Sequence, residues 1–174
     1  MSIKKILLEP DPLLRKKCKP VKRIDSDVQK LMNDMLETMY EAPGIGLAAI
    51  QIGVLKRVIV IDISKDNKKK DPQFFVNPEI IFKSEKKSIY EEGCLSIPGQ
   101  FADIERASEC HLQYLNYNGE TKKLEANGLL ATCIQHEIDH LDGILFIDYL
   151  SKLKKSMILK KLIKQKKSSE RIVV

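Results

Sequence analysis

Hydrophobic and polar positions along the chain switch between two periods. Over residues 25–41, Val28, Leu31, Met32, Met35, Leu36 and Met39 recur at three- and four-residue spacing, the signature of one apolar helix face. Asp25 or Ser26 supplies an N-cap, and Pro43-Gly44 a stop. Residues 57–63, Arg-Val-Ile-Val-Ile-Asp-Ile, form a β-branched run that predicts a strand. Residues 65–71 carry a lysine run and predict a solvated turn. Residues 74–82 and 85–90 predict further strands. Residues 110–116 alternate weakly before Asn118-Gly119, a hairpin signal, and residues 121–124 provide the return strand. Asn127 can cap a helix running to about Leu141, stopped by Asp142-Gly143, and a last helix is predicted over 149–167. Strands in one run framed by helices predict an α+β fold rather than alternating βαβ units.

Length and composition narrow the class. The 174 residues suit one domain, and 43% hydrophobic residues suffice for a core. The expected division is a catalytic body over 1–150 and a basic helix and tail over 151–174 belonging to the same domain. No apolar run reaches the roughly 18 residues of a membrane span. The first ten residues predict no signal peptide, so the expected location is the cytoplasm. Without an export signal, the four cysteines (Cys18, Cys94, Cys110, Cys133) are expected as free thiols. The net charge of +6 is uneven. Residues 151–174 hold nine basic side chains against Glu170 alone, so the body is slightly acidic and an anionic partner should meet the tail.

The chemistry concentrates in three segments. Cys133-Ile-Gln-His-Glu-Ile-Asp-His140 carries H-E-x-x-H on a predicted helix. Histidines at i and i+4 share a face and can converge on one ion, and Glu137 can then exchange a proton with an activated water. The plain alternative on this motif alone is an amphipathic helix that carries two histidines. A catalytic divalent site needs three protein ligands and an open position. Cys133 lies ~4.5 Å further along the axis from His136, at 1.5 Å per residue, with a short side chain. Cys94 is the better third ligand, because Gly93 before it and Pro98-Gly99 after it bend the chain tightly. Its plain reading is a small buried hydrophobe, which Cys18 and Cys110 keep; His111, the only other histidine, is given no role either. The third segment runs from Pro43 to Gln51. Its glycines and alanines allow close packing, and Gln51 offers an amide donor for an oxyanion. The alternative there is a glycine-rich turn entering a strand, with Gln51 on the surface. No phosphate-binding loop is spelled.

Together, Gly44-Ile-Gly-Leu-Ala-Ala-Ile-Gln51, Glu92-Gly-Cys-Leu-Ser96 and Gln135-His-Glu-Ile-Asp-His140 followed by Leu-Asp-Gly resemble the peptide deformylases. Leu8-Glu-Pro-Asp-Pro-Leu-Leu-Arg15 and Asn77-Pro78 match the same family, so the likeness spans nearly the whole chain. The resemblance implies an α+β fold, with antiparallel β-sheets packed around a central helix carrying H-E-x-x-H plus N-terminal and C-terminal helices, and a hydrolase that removes the formyl group from the N-terminal formyl-methionine of new polypeptides and releases formate. It implies one divalent metal ion, Fe²⁺ in the cell and replaceable by Zn²⁺, Ni²⁺ or Co²⁺. Cys94, His136 and His140 would be ligands and Glu137 the general acid/base. A hydroxide on the ion would attack the formyl carbon, while Gln51 and the backbone N–H of Leu95 hold the oxyanion. Ile45, Gly46, Gly93, Leu129, Thr132 and Cys133 would shape the methionine pocket, and Glu92 would pair with Arg106. Two positions depart from the pattern. Thr132 stands where an aliphatic residue is common, and Phe101 stands where some members carry a basic residue that meets the peptide.

Partners implied are formyl-Met nascent peptides and, through the basic C-terminal helix, the ribosome; neither DNA nor membrane is expected. On that helix Leu150, Leu153, Met157, Ile158 and Leu162 are expected to form the apolar stripe. The rivals are another metal-dependent amidase or peptidase and a non-catalytic, metal-stabilised ribosome-binding protein.

Overall fold

The structure is a computed structural model that describes residues 2–64 and 69–171, with 166–171 described by backbone alone. Most of the lysine turn expected over 65–71 lies outside the described residues.

Helix α1 (Ser26–Glu41) begins where the periodicity places it. The Asp25 carboxylate accepts from the Val28 N–H at 3.0 Å, a side-chain N-cap. Strands β1 (Gly46–Ala48), β2 (Val58–Ile61), β3 (Gln73–Lys83), β6 (Glu109–Leu115) and β7 (Thr121–Asn127) form one antiparallel sheet in the order β1-β2-β3-β6-β7. The β6–β7 hairpin turns at Asn118-Gly119, with Gly119 at φ 84° as such a turn requires. Strands β4 (Lys87–Cys94) and β5 (Ile97–Ala107) pair separately as a second antiparallel ribbon. Helix α2 (Gly128–Leu141) packs against strands of both sheets, and α3 (Lys152–Arg171) closes the chain. The fold is therefore α+β with antiparallel sheets.

The uninterrupted apolar run of β2 has a direct cause. Ile59 and Ile61 face α2, where they meet Ala131, Ile134 and Ile138, while Val58 and Val60 face α1 and its Met32, Met35 and Met39. A strand covered on both faces needs no polar side. Neighbouring Phe75 and Val76 of β3 split between the same two layers.

Four expectations change. Strand β5 was not marked by the pattern, since Ile97–Ala107 carries Pro, Gly and four charged or polar side chains. It forms because its long hairpin with β4 buries only a few positions, among them Ile97 and Ile104. The motif Gly46–Ala48 is a strand, and Ala49–Ile52 a 3-10 turn. Asn127 occupies the N-cap of α2 without a side-chain hydrogen bond. The C-terminal segment breaks at Leu150 into a short 3-10 turn (Phe146–Tyr149) and α3. On α3, Ile158 and Leu162 are buried against Ile97, Ile104 and Phe146, but Leu153 and Met157 are 72% and 53% exposed. The expected stripe is thus only half used.

Candidate active site

Histidines 136 and 140 lie one turn apart on α2, with ring centroids 4.9 Å apart and edges nearly perpendicular. Cys94 ends β4, and the bulge between Gly93 and Cys94 brings its thiol to the helix. Cys94 Sγ lies 3.2 Å from His140 Nε2, and the ligand atoms of Cys94, His136 and His140 lie within 4.8 Å of one another. This is a cysteine–histidine–histidine cluster able to hold one ion, of which H-E-x-x-H supplies only two members. Cys133 stays apart: its thiol faces the Ile45 carbonyl at 3.9 Å. Cys18 and Cys110 are core residues, and burial pushes both thiols up to about 11.

The histidines are held from behind. His136 Nδ1 lies 2.8 Å from Glu92 Oε2, leaving Nε2 for an ion. Arg106 donates to both Glu92 oxygens, the Nη2 bond being 3.0 Å, and to Asp139 at 2.8 Å. The Tyr149 hydroxyl donates to Asp139 at 2.8 Å and its ring lies under the guanidinium at 5.0 Å. Sequence reasoning paired Glu92 with Arg106 but missed that Glu92 also orients His136, and it missed Asp139 and Tyr149. The Asp within His-Glu-Ile-Asp-His was the available signal. Burial opposes the charge on Glu92, yet the bonds from His136 and Arg106 outweigh it and hold its carboxyl below the usual range. Burial disfavours charge on His140 and keeps that imidazole neutral.

Glu137 is buried, and its Oε2 has no hydrogen-bond partner among the described residues. Burial raises its pKa to about 7, and Glu92 and Asp139 add to the rise. Gly46 of β1 is what lets this carboxyl in: a Cβ there would collide with Glu137 Oε1 and approach Cys133 Sγ to 3.0 Å. Gln51 is buried, not on the surface. Its Oε1 accepts from the Ala48 N–H at 2.8 Å, which turns its Nε2 toward Ser96 Oγ at 3.1 Å and Cys94 Sγ at 3.5 Å. Ser96, which sequence reasoning gave no role, is the residue that fixes this amide. Leu95 lies in the turn between β4 and β5, seated where Gly44 leaves room: a Cβ on Gly44 would reach Leu95 Cδ1 at 2.7 Å.

These groups open into a cavity of about 420 Å³. Ile45, Gly46, Gly93, Leu129, Thr132 and Cys133 all line it, as do Gln51, Leu95 and Glu137. Phe101 stands at its rim, 63% exposed, with its ring against Gly93.

A family profile described as polypeptide deformylase matches residues 3–156. The chain belongs to the polypeptide deformylase family. It is 64% identical over 174 residues to the peptide deformylase of Pelagibacter ubique (strain HTCC1062), covering 100% of both chains. It is 53% identical over 168 residues to that of Rhizobium meliloti (strain 1021), covering 97% of each. Among solved structures, the peptide deformylase of Legionella pneumophila superposes with a TM-score of 0.91 at 47% identity, over 98% of this chain and 99% of that one. The Ehrlichia chaffeensis enzyme in complex with actinonin gives 0.91 at 41%, over 95% and 98%. Membership makes the chain a metal-dependent hydrolase of this family.

Proposed function

We propose that this enzyme hydrolyses the formyl amide at the N-terminal formyl-methionine of newly made polypeptides, releasing formate. The observation that carries the proposal is one cavity that joins a three-ligand cluster to an unpartnered buried carboxyl, Glu137. The donor set fits one divalent cation: a thiolate and two imidazoles, one of them oriented by Glu92, with open space beside them. Fe²⁺ is the proposed ion in the cell, with Zn²⁺, Ni²⁺ or Co²⁺ as substitutes, held by Cys94, His136 and His140 on the second sheet and on the H-E-x-x-H helix α2. Such an ion, when bound, supplies Lewis acidity that activates water and polarises the formyl oxygen.

The chain's own groups do the rest. Glu137, with a pKa near 7, takes a proton from the attacking water and returns it to the amide nitrogen as the C–N bond breaks. The Gln51 Nε2 amide and the Leu95 N–H receive the developing oxyanion, and Ser96 with Ala48 keeps Gln51 from turning away. Ile45, Gly46, Gly93, Leu129, Thr132 and Cys133 enclose the methionine side chain. Phe101 offers the peptide an apolar surface in place of a cation. The proposed division is a catalytic body over 1–150 and a basic helix and tail over 151–174 of the same domain, a reading supported by the packing of Ile158 and Leu162 against Ile97, Ile104 and Phe146.

Lys152, Lys154, Lys160, Lys161 and Lys164 are exposed on α3 and form the proposed ribosome-facing surface; the side chains of Lys166, Lys167 and Arg171 lie outside the described residues. No helix among the described residues is long and apolar enough to cross a membrane.

The test is formate release from a formyl-Met peptide by protein purified without air, with metal analysis, beside an internal-peptide substrate. Formate release that falls about 10²–10⁴-fold in Glu137→Gln, with metal retained, supports the reading. Cleavage of internal bonds instead would assign another amidase.

A further inference from the structure

Thr132 stands in the methionine pocket with a hydroxyl to which no step of the mechanism gives a task. It lines the cavity, it is 3% exposed, and its Oγ1 has no hydrogen-bond partner among the described residues. A buried hydroxyl left unpaired is destabilising, so native proteins nearly always satisfy it. Of the residues lining this cavity, only Thr132 and Glu137 carry such an atom. Glu137 has its task at the reacting amide. The Thr132 hydroxyl has no partner among the described residues, and its neighbour Cys133 is already turned to the Ile45 carbonyl.

Position supplies the partner. Thr132 lies on α2 one turn before His136, about 6 Å along the axis at 1.5 Å per residue. In an extended formyl-methionyl group the sulfur stands five bonds from the formyl carbon, again roughly 6 Å at ordinary bond lengths. A side chain entering the cavity from a formyl group held near His136 thus brings its third atom, the sulfur of methionine, to the level of Thr132. The remaining side chains at this end, Ile45, Leu129 and Cys133, offer apolar contact and no free donor.

We propose that Thr132 is a specificity-determining residue, whose hydroxyl donates to a hydrogen-bond acceptor at the thioether position of the substrate's first side chain. This rests on the deformylase reading above. It means that the pocket reads the sulfur chemically as well as by shape. Norleucine has nearly the same shape but a methylene there, and it leaves the hydroxyl unpaired.

The experiment compares kcat/KM of the metal-loaded full chain on formyl-Met-Ala-Ser and formyl-norleucyl-Ala-Ser, in wild type, Thr132→Val and Thr132→Ser. Wild type should prefer methionine by about three- to tenfold, the range of one net hydrogen bond. Thr132→Val should bring the ratio within twofold, by losing rate on methionine more than on norleucine. It should also melt at or above wild type without substrate, because an unpaired hydroxyl has gone. Thr132→Ser keeps the donor and should keep the preference, which separates hydroxyl chemistry from packing if the valine variant folds poorly. A ratio unchanged in Thr132→Val, lost in Thr132→Ser, or already near one in wild type overturns the inference alone. Wild type that releases no formate from either peptide overturns the deformylase reading and this inference with it.

Discussion

Replacing Gly46 with alanine isolates the placement of Glu137 from everything else in the site. Gly46 is an ordinary strand residue in β1, not one of the positive-φ glycines, so its backbone accepts alanine without strain. The obstacle is space. The new methyl would overlap Glu137 Oε1 and lie 3.0 Å from both Glu137 Cδ and Cys133 Sγ. Carbon atoms rest at about 3.5–4.0 Å, so the carboxyl must retreat by roughly 1 Å. A proton-transferring group displaced by that much costs about 10²-fold in rate, near 2.7 kcal/mol of barrier. The three ligands need not move, because the atoms nearest the methyl belong to Glu137 and Cys133. Formate-release kinetics, metal content by mass spectrometry and a thermal melt should therefore show a fall of about two orders of magnitude in kcat/KM with one equivalent of metal retained. Gly119→Ala provides the contrast. Its φ of 84° costs about 1–3 kcal/mol of stability, but its nearest neighbour is Ile24, far from the site chemistry, so kcat/KM should hold. Gly46→Ala with wild-type kcat/KM at full metal occupancy would falsify the placement of Glu137 described here.

Arg106→Met leaves the buried Glu92 carboxylate without its guanidinium and should destabilise by about 3–5 kcal/mol in urea unfolding, whereas adding Glu92→Gln should recover part of that loss; a single-variant loss under 1 kcal/mol would show that the pair is not doing what its burial implies. Cys94→Ala should lose the ion on dialysis while Cys133→Ala keeps it, read by elemental analysis; retention by Cys94→Ala would remove it from the ligand set. Asp34, bonded first by Lys30 and also by the Ser2 N–H and Lys4, has its carboxyl held below the usual range. Its folded pKa lies below its unfolded value of about 3.9, so its contribution is complete above that pH and fades as pH falls through the folded value. The stability gap between wild type and Asp34→Asn should thus be flat from pH 7 to 5 and shrink below 4; a gap that grows on acidification contradicts the assignment.

What the sequence determined by itself was local chemistry and local period. Val28 to Met39 spell the inner face of α1, Val58–Ile61 a β-branched strand, and Asn118-Gly119 a hairpin, because each signal is complete within a few residues. His136, Glu137 and His140 were legible for the same reason, since helical spacing alone puts them on one face. The third ligand was a choice between Cys94 and Cys133, and only the bulge at the end of β4 brings Cys94 Sγ to 3.2 Å from His140. Strand β5 was illegible because its hairpin partner, not its own hydropathy, defines it. The linkage of Arg106, Asp139, Tyr149 and Glu92 behind His136 joins β4, β5, α2 and the turn before α3, so no sequence window contains it. The buried hydroxyl of Thr132, unpartnered among the described residues, likewise follows from how α2 seats against its neighbours. Periodicity fixes which face of an element is apolar; packing alone decides which polar groups on that face are left without water and without a partner.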